Sequence, residues 1–207
     1  MKNLVLLTFL LFNFVAVSQK TRVFNGELLY EIERVSPKDS LPGKMLIYAK
    51  DSLQRIVNFS SAIGKQEMIK HLRLNRSYVL VTTTKGDFAI KTDHNLNKDT
   101  LEAYTFKKKF GKKRIAGIKA KRASVTIRGV ENKFTFYYYP KIDAKYGASY
   151  HKLPGLALEY YAATENGLFK YTLISLQNSQ PPLGLFMIPE NYKKVSLEEF
   201  MKEVSAQ

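Results

Sequence analysis

From Val23 to Glu33 the chain alternates. Phe24, Leu28, Tyr30 and Ile32 fall on one side of an extended backbone, and Asn25, Glu27, Glu31 and Glu33 on the other, with Leu29 the apolar exception. A period of two marks a strand buried on one face. The same reading predicts strands over 44–49, 53–59, 87–91 and 101–110, and a strongly β segment at Ser77–Thr84, where branched residues dominate. Gly111 breaks the 101–110 strand, and Arg114 to Ile127 passes through Gly117 into another. KFTFYYY at 133–139 is the most aromatic stretch, and Pro140 stops its ladder. Leu156–Ala162 and Gly167–Leu176 read as a hairpin, and Leu185–Ile188 as a short strand after the rigid Pro181-Pro182 pair. Residues 66–75 fit a strand or one short helix. Turn formers fill 36–43 and 60–65, 92–100 is polar and exposed, and 141–150 is irregular before a bend at Leu153–Leu156.

The C-terminal pattern changes period. Ser196 followed by Glu199 makes a capping box, and Leu197, Phe200, Met201 and Val204 form one apolar stripe of a helix. The sum is about ten short strands and one or two helices, with no fixed repeat and no linker that divides the chain. The expected fold is mainly β: a strongly curved antiparallel sheet, a half-barrel, with a short C-terminal helix. Residues 19–207 form its single domain. Strands of this kind also occur in outer-membrane barrels, although a helical C-terminus does not suit a closing strand.

The leader changes the setting. MKNLVLLTFLLFNFVAVS has a basic start at Lys2, an apolar run from Leu4 to Val17, and small residues at Ala16 and Ser18. It reads as a signal peptide over 1–18, cleaved before Gln19; retention as an anchor is the rival. The expected location is the periplasm or the outer-membrane periphery, which sets aside cytoplasmic nucleotide chemistry. Cleavage removes Lys2, so the formal charge falls from +15 to +14. That charge attracts anionic surfaces and gives peripheral membrane contact, with no specific nucleic acid expected. There is no cysteine, which excludes thiol chemistry and disulfide staples and leaves a packed core as the source of stability.

Two clusters could carry function. Lys107, Lys108, Lys109, Lys112, Lys113, Arg114, Lys119, Lys121 and Arg122 fall within sixteen residues, and no acidic residue lies between Ala103 and Val130. They suit an anionic headgroup or surface; they also suit a charged edge that discourages strand-to-strand aggregation. Phe134, Phe136 and Tyr138 share one face of their strand while Tyr137 and Tyr139 share the other, so both faces need cover. With Tyr146, Leu153, Leu156 and Tyr160 they would make the apolar wall of a ligand cavity or an ordinary core. Nothing points to catalysis. His71, His94 and His151 are far apart with no metal-ligand spacing. Asp51, Asp87 and Asp93 sit at turns or strand ends, and Glu27, Glu31 and Glu159 lack a pairing. No enzyme activity, cofactor or metal is expected.

Four segments in order, RIAGIKAKRASVTI (114–127), FTFYYYPKID (134–143), HKLPGLALEYY (151–161) and LFMIPENYKKVSLEEF (185–200), resemble the GLPGLI-motif secreted proteins of Bacteroidetes and the related family of unknown function. Lys152 stands in place of the motif's first glycine, Ala157 in place of its isoleucine, and Ala120 where many such proteins have cysteine. The resemblance implies a periplasmic protein without an agreed activity and a lipoprotein-carrier-like sheet whose concave face shelters acyl chains. Pro154 and Gly155 then read as a bend that seats Leu153 and Leu156 in the interior. The leading expectation is a non-enzymatic binder of a lipid or other amphiphile, with the aromatic wall on the tail and the Lys107–Arg122 patch on the head. The alternative is an accessory protein of an outer-membrane or envelope complex, with a filled core and a protein partner.

Overall fold

The computed structural model describes residues 23–36, 43–60, 64–93 and 104–205. The leader, residues 94–103 and most of the 36–43 loop lie outside them. Twelve strands form one sheet: β1 (Gly26–Ser36), β2 (Gly43–Lys50), β3 (Leu53–Ser60), β4 (Gly64–His71), β5 (Arg76–Thr83), β6 (Gly86–Asp93), β7 (Tyr104–Ile115), β8 (Ile118–Ile127), β9 (Lys133–Tyr139), β10 (Leu156–Thr164), β11 (Gly167–Asn178) and β12 (Lys193–Val195). Their spatial order is β12-β6-β5-β4-β3-β2-β1-β11-β10-β9-β8-β7. Every pairing is antiparallel except β12 on β6, which is parallel. The helix α1 (Leu197–Ser205) follows, and no helix among the described residues is long and apolar enough to cross a membrane.

The sheet is open and not strongly curled, with β12 and β7 as its edges, so the expected half-barrel is corrected. The reason is that each face carries a covering segment. Cross-strand partners share a face. Tyr30 opposes Met45 and Leu28 opposes Ile47, and these four are almost wholly buried. Over them lies the β9–β10 connection, 140–155, pinned at several points. Tyr146 donates its hydroxyl to the Asp51 carbonyl at 2.7 Å, and Gln54 Nε2 donates to the Tyr146 carbonyl at 2.7 Å. The Lys152 amide donates to the Tyr104 hydroxyl at 2.9 Å. Further along the same face, α1 lays Phe200 edge-on against Phe88 of β6, ring centres 5.3 Å apart.

The opposite face is covered by 181–192. Ile188 and Tyr192 pack on buried Ile69, Leu80 and Ala89, and Arg55 donates to the Leu185 carbonyl at 2.9 Å. With both sides occupied, the sheet has no interior of its own to enclose.

Two local expectations change. The 66–75 stretch is strand β4 followed by a tight turn, with Met68 on one face and Ile69 on the other. Leu183–Phe186 is a 3₁₀ turn, not a strand, and the strand of this region is the later β12. The capping box holds: the Glu199 amide donates to Ser196 Oγ at 3.2 Å, and the Ser196 amide to Glu199 Oε2 at 2.7 Å.

Candidate functional site

The predicted aromatic wall does come together, as core. Phe134, Phe136, Tyr138, Tyr146, Leu153, Leu156 and Tyr160 all belong to one buried cluster. Phe136 meets Tyr150 edge-on at 4.8 Å, and Tyr150 meets Tyr104 at 4.8 Å. Leu153 and Leu156 are seated inside by the bend between them, as Pro154 and Gly155 imply. Phe134, Phe136 and Tyr138 are buried on one face of β9 as core, while Tyr137 and Tyr139 on the other are half-buried.

An open cleft exists elsewhere on the same face. The 140–155 segment covers the centre of the sheet and α1 covers β6, which leaves β3–β5 between them. The gap is a cavity of about 760 Å³. The strand register arranges its floor in rows. Ile56, Met68 and Val79 form one apolar row across β3, β4 and β5. On one side of that row lies Lys70, only 3% exposed. On the other side lie the amides of Asn58 and Gln66, which oppose each other across β3 and β4. One wall is Tyr160 stacked flat on Tyr171, ring centres 4.7 Å apart and planes 4° from parallel. Ser149 from the covering segment completes it. The Tyr160 hydroxyl is buried and has no hydrogen-bond partner among the described residues. Burial pushes its pKa well above the usual tyrosine value, so it stays a neutral donor.

Among the described residues the one carboxylate lining this cleft is Glu67, and it is already engaged. Arg55 and Lys65 both form ion pairs with it. Burial alone would raise its pKa; the hydrogen bonds and charges of Lys65 and Arg55 outweigh that and hold it below the usual carboxylate range. A depressed folded-state pKa stabilises the fold above the unfolded value, and that contribution is lost as pH falls through the folded one. The expected result is that urea unfolding separates wild type from Glu67→Gln at neutral pH, and that the gap closes as pH drops below about 4. A gap that stays constant down to pH 3 contradicts this account.

The basic residues decorate the β7–β8 hairpin. Lys107 opposes Ser124, Lys108 opposes Ala123, Lys109 opposes Arg122, Lys112 opposes Lys121, Lys113 opposes Ala120 and Arg114 opposes Lys119, so the charges divide between the two faces. Lys113 is engaged in the fold: its ammonium meets Glu159 at 2.8 Å and sits 5.3 Å from the centre of the Tyr137 ring. Its hydrogen bond to Glu159 raises its pKa. Glu159, 6% exposed, also faces Lys170 at 3.6 Å. Arg114 donates to the Gly117 carbonyl within the turn, at 3.3 Å. Between Lys109 and Lys112 the pairing slips at a bulge around Gly111, and there Phe110 stands fully exposed.

Of the histidines, His71 accepts from the Leu74 amide in a turn and His151 faces the Ala144 carbonyl, while His94 lies outside the described residues. No group of three His, Asp or Glu side chains that could hold a metal occurs among the described residues. Apart from Tyr160, the cleft was not expected from the sequence. Its floor is drawn from three strands, and only the register brings those residues together.

No protein-family model and no curated protein sequence matches the chain, which corrects the expected membership of the GLPGLI-motif family and the carrier-like fold drawn from it. The structural likeness is to part of PNGF-II. Its structure in the C2 space group aligns with a TM-score of 0.51 at 13% identity, covering 87% of this chain and 32% of that one. The P21 form gives 0.50, 13%, 87% and 33%. The chain therefore spans about a third of the length of PNGF-II, and at this identity the likeness concerns the fold alone.

Proposed function

We propose that the chain is a non-catalytic docking module of the cell envelope that holds an acidic, extended segment of a partner protein along the outer edge of β7. The observation that carries this reading is the edge itself. β7 ends the sheet, is twelve residues long, and is exposed at every position from Lys107 to Arg114. An edge strand presents unpaired backbone donors and acceptors, and a peptide laid beside it satisfies them. The lysines decide which peptide. They repel a second copy of the same edge by like charge and attract an acidic strand. Lys113 of the hairpin already holds one carboxylate, that of Glu159 on the inner side of the hairpin. Phe110, wholly in solvent at the bulge, adds an apolar anchor. The filled aromatic core supports the docking role over a carrier role, because it removes the wall a carrier would use. Placement in the envelope rests on the leader sequence.

The test uses a fluorescein-labelled twelve-residue peptide of alternating threonine and glutamate, and its analogue with alternate backbone amides N-methylated. Anisotropy is read against the mature protein at low and moderate salt. We expect saturable binding that weakens with salt. It should fall about tenfold with Lys107→Ser, Lys108→Ser and Lys109→Ser combined, and at least tenfold with the N-methylated peptide, which keeps its charge but cannot pair as a strand. Equal binding of the two peptides overturns strand addition. Vesicles of phosphatidylglycerol that bind the parent while the peptide does not would assign the patch to a membrane surface.

A further inference from the structure

The cleft over β3–β5 plays no part in that reading. We propose that it is a binding site for a small organic anion with a flat apolar body. Its polar lining can donate at several points: the Tyr160 and Ser149 hydroxyls, the Asn58 and Gln66 amide nitrogens, and the Lys70 ammonium, the one donor-only group of these. The one carboxylate, Glu67, is satisfied by Arg55 and Lys65. A ligand that brings acceptors therefore fits better than one that brings donors. Between the polar ends lies an apolar strip, Ile56, Met68 and Val79, beside the flat Tyr160–Tyr171 stack. Methionine in such a strip adapts to varied ring shapes. The volume, about 760 Å³, is that of a small-molecule site.

The Tyr160 hydroxyl is the sharpest pointer. A buried hydroxyl without a partner lowers stability unless something bonds to it. The hydroxyls of Tyr30, Tyr146 and Tyr150 each donate to a backbone carbonyl, whereas that of Tyr160, a residue lining the cleft, has no such acceptor among the described residues. A carboxylate or sulfonate in the cleft would accept it. The strongly positive chain steers such anions inward.

Two probes separate the requirements. 1-Anilinonaphthalene-8-sulfonate carries the rings and the anion; N-phenyl-1-naphthylamine carries the rings alone. Fluorescence titration of the mature protein should show one saturable site for the sulfonate and at least tenfold weaker binding of the neutral compound. Lys70→Met should weaken the sulfonate about tenfold. Tyr160→Phe should weaken it about fivefold while leaving the thermal midpoint unchanged or higher, a combination that a merely structural tyrosine does not give. Should Lys70→Met fail to fold, Tyr160→Phe still decides. The triple serine variant of the hairpin should leave sulfonate binding intact, so this proposal and the docking role stand or fall separately. Equal affinity for both probes, normal binding by Tyr160→Phe, or loss of binding in the triple serine variant overturns it.

Discussion

Replacing Phe136 with alanine is expected to lower the free energy of unfolding by about 3–5 kcal/mol, the range for a fully buried aromatic in a core that cannot collapse around the gap. Phe136 has no exposed surface, and its ring contacts Tyr150, Tyr160 and Tyr161. At least one of those neighbours is tethered, so they cannot all move inward. Tyr150 donates its hydroxyl to the Tyr161 carbonyl. For a domain of this size the loss corresponds to a fall in the thermal midpoint of roughly 10 °C. Differential scanning calorimetry of the protein reads it directly. A ligand wall would behave differently: truncation there relieves exposed apolar area and changes stability little. A midpoint within 2 °C of wild type would therefore return Phe136 to the status of a binding residue.

Gly155→Ala is expected to cost a similar amount by another mechanism. An added Cβ would lie 2.3 Å from the Tyr139 carbonyl oxygen and 2.6 Å from the Pro140 Cα. Both are backbone atoms, so no side chain can swing aside. The β9–β10 connection has to separate from the end of β9, and that movement disturbs Leu153, Leu156 and the bond from the Leu156 amide to the Ile142 carbonyl. About 3 kcal/mol or more is expected, seen as a lower urea midpoint. Gly184→Ala is the control, because nothing lies within 4 Å of its added Cβ. If the two alanine variants unfold together, the close approach at Gly155 has no energetic weight.

The parts of the fold that the sequence made legible are those where one local rule decided the outcome. Alternation in β1 and β9 follows from one buried face on each, and the Ser196–Glu199 box marked the start of α1 from four residues. The stretch 66–75 was ambiguous because Met68, Ile69, Leu72 and Leu74 satisfy both periods. It became a strand because Met68 and Ile69 find apolar cover on opposite faces of the sheet. Leu185–Ile188 read as a strand because apolar residues follow a proline pair, yet Leu185 and Phe186 form a 3₁₀ turn that covers β3.

One face of β9 is closed by the chain's own 140–155 segment, through Tyr150 on Phe136, while Tyr137 and Tyr139 on the other stay half-buried. Periodicity carries no information about such a distant partner. The cleft was invisible for the same reason. Lys70 looks like any surface lysine in the sequence; its burial arises from the strands on either side of it.

The place of β1 in the sheet sets an order of events. β1 through β6 follow one another as a meander, and so do β7 through β11; each strand pairs with its neighbour in sequence. Among the described residues the two runs meet at β1 and β11, where Leu28 opposes Leu176 and Ile32 opposes Tyr171, and β12 returns to pair with β6. Closing the β1–β11 pairing means bringing together residues almost a whole chain apart, which makes it the slowest contact to form. The first-made half therefore waits with its own first strand bare along one side until the other half arrives.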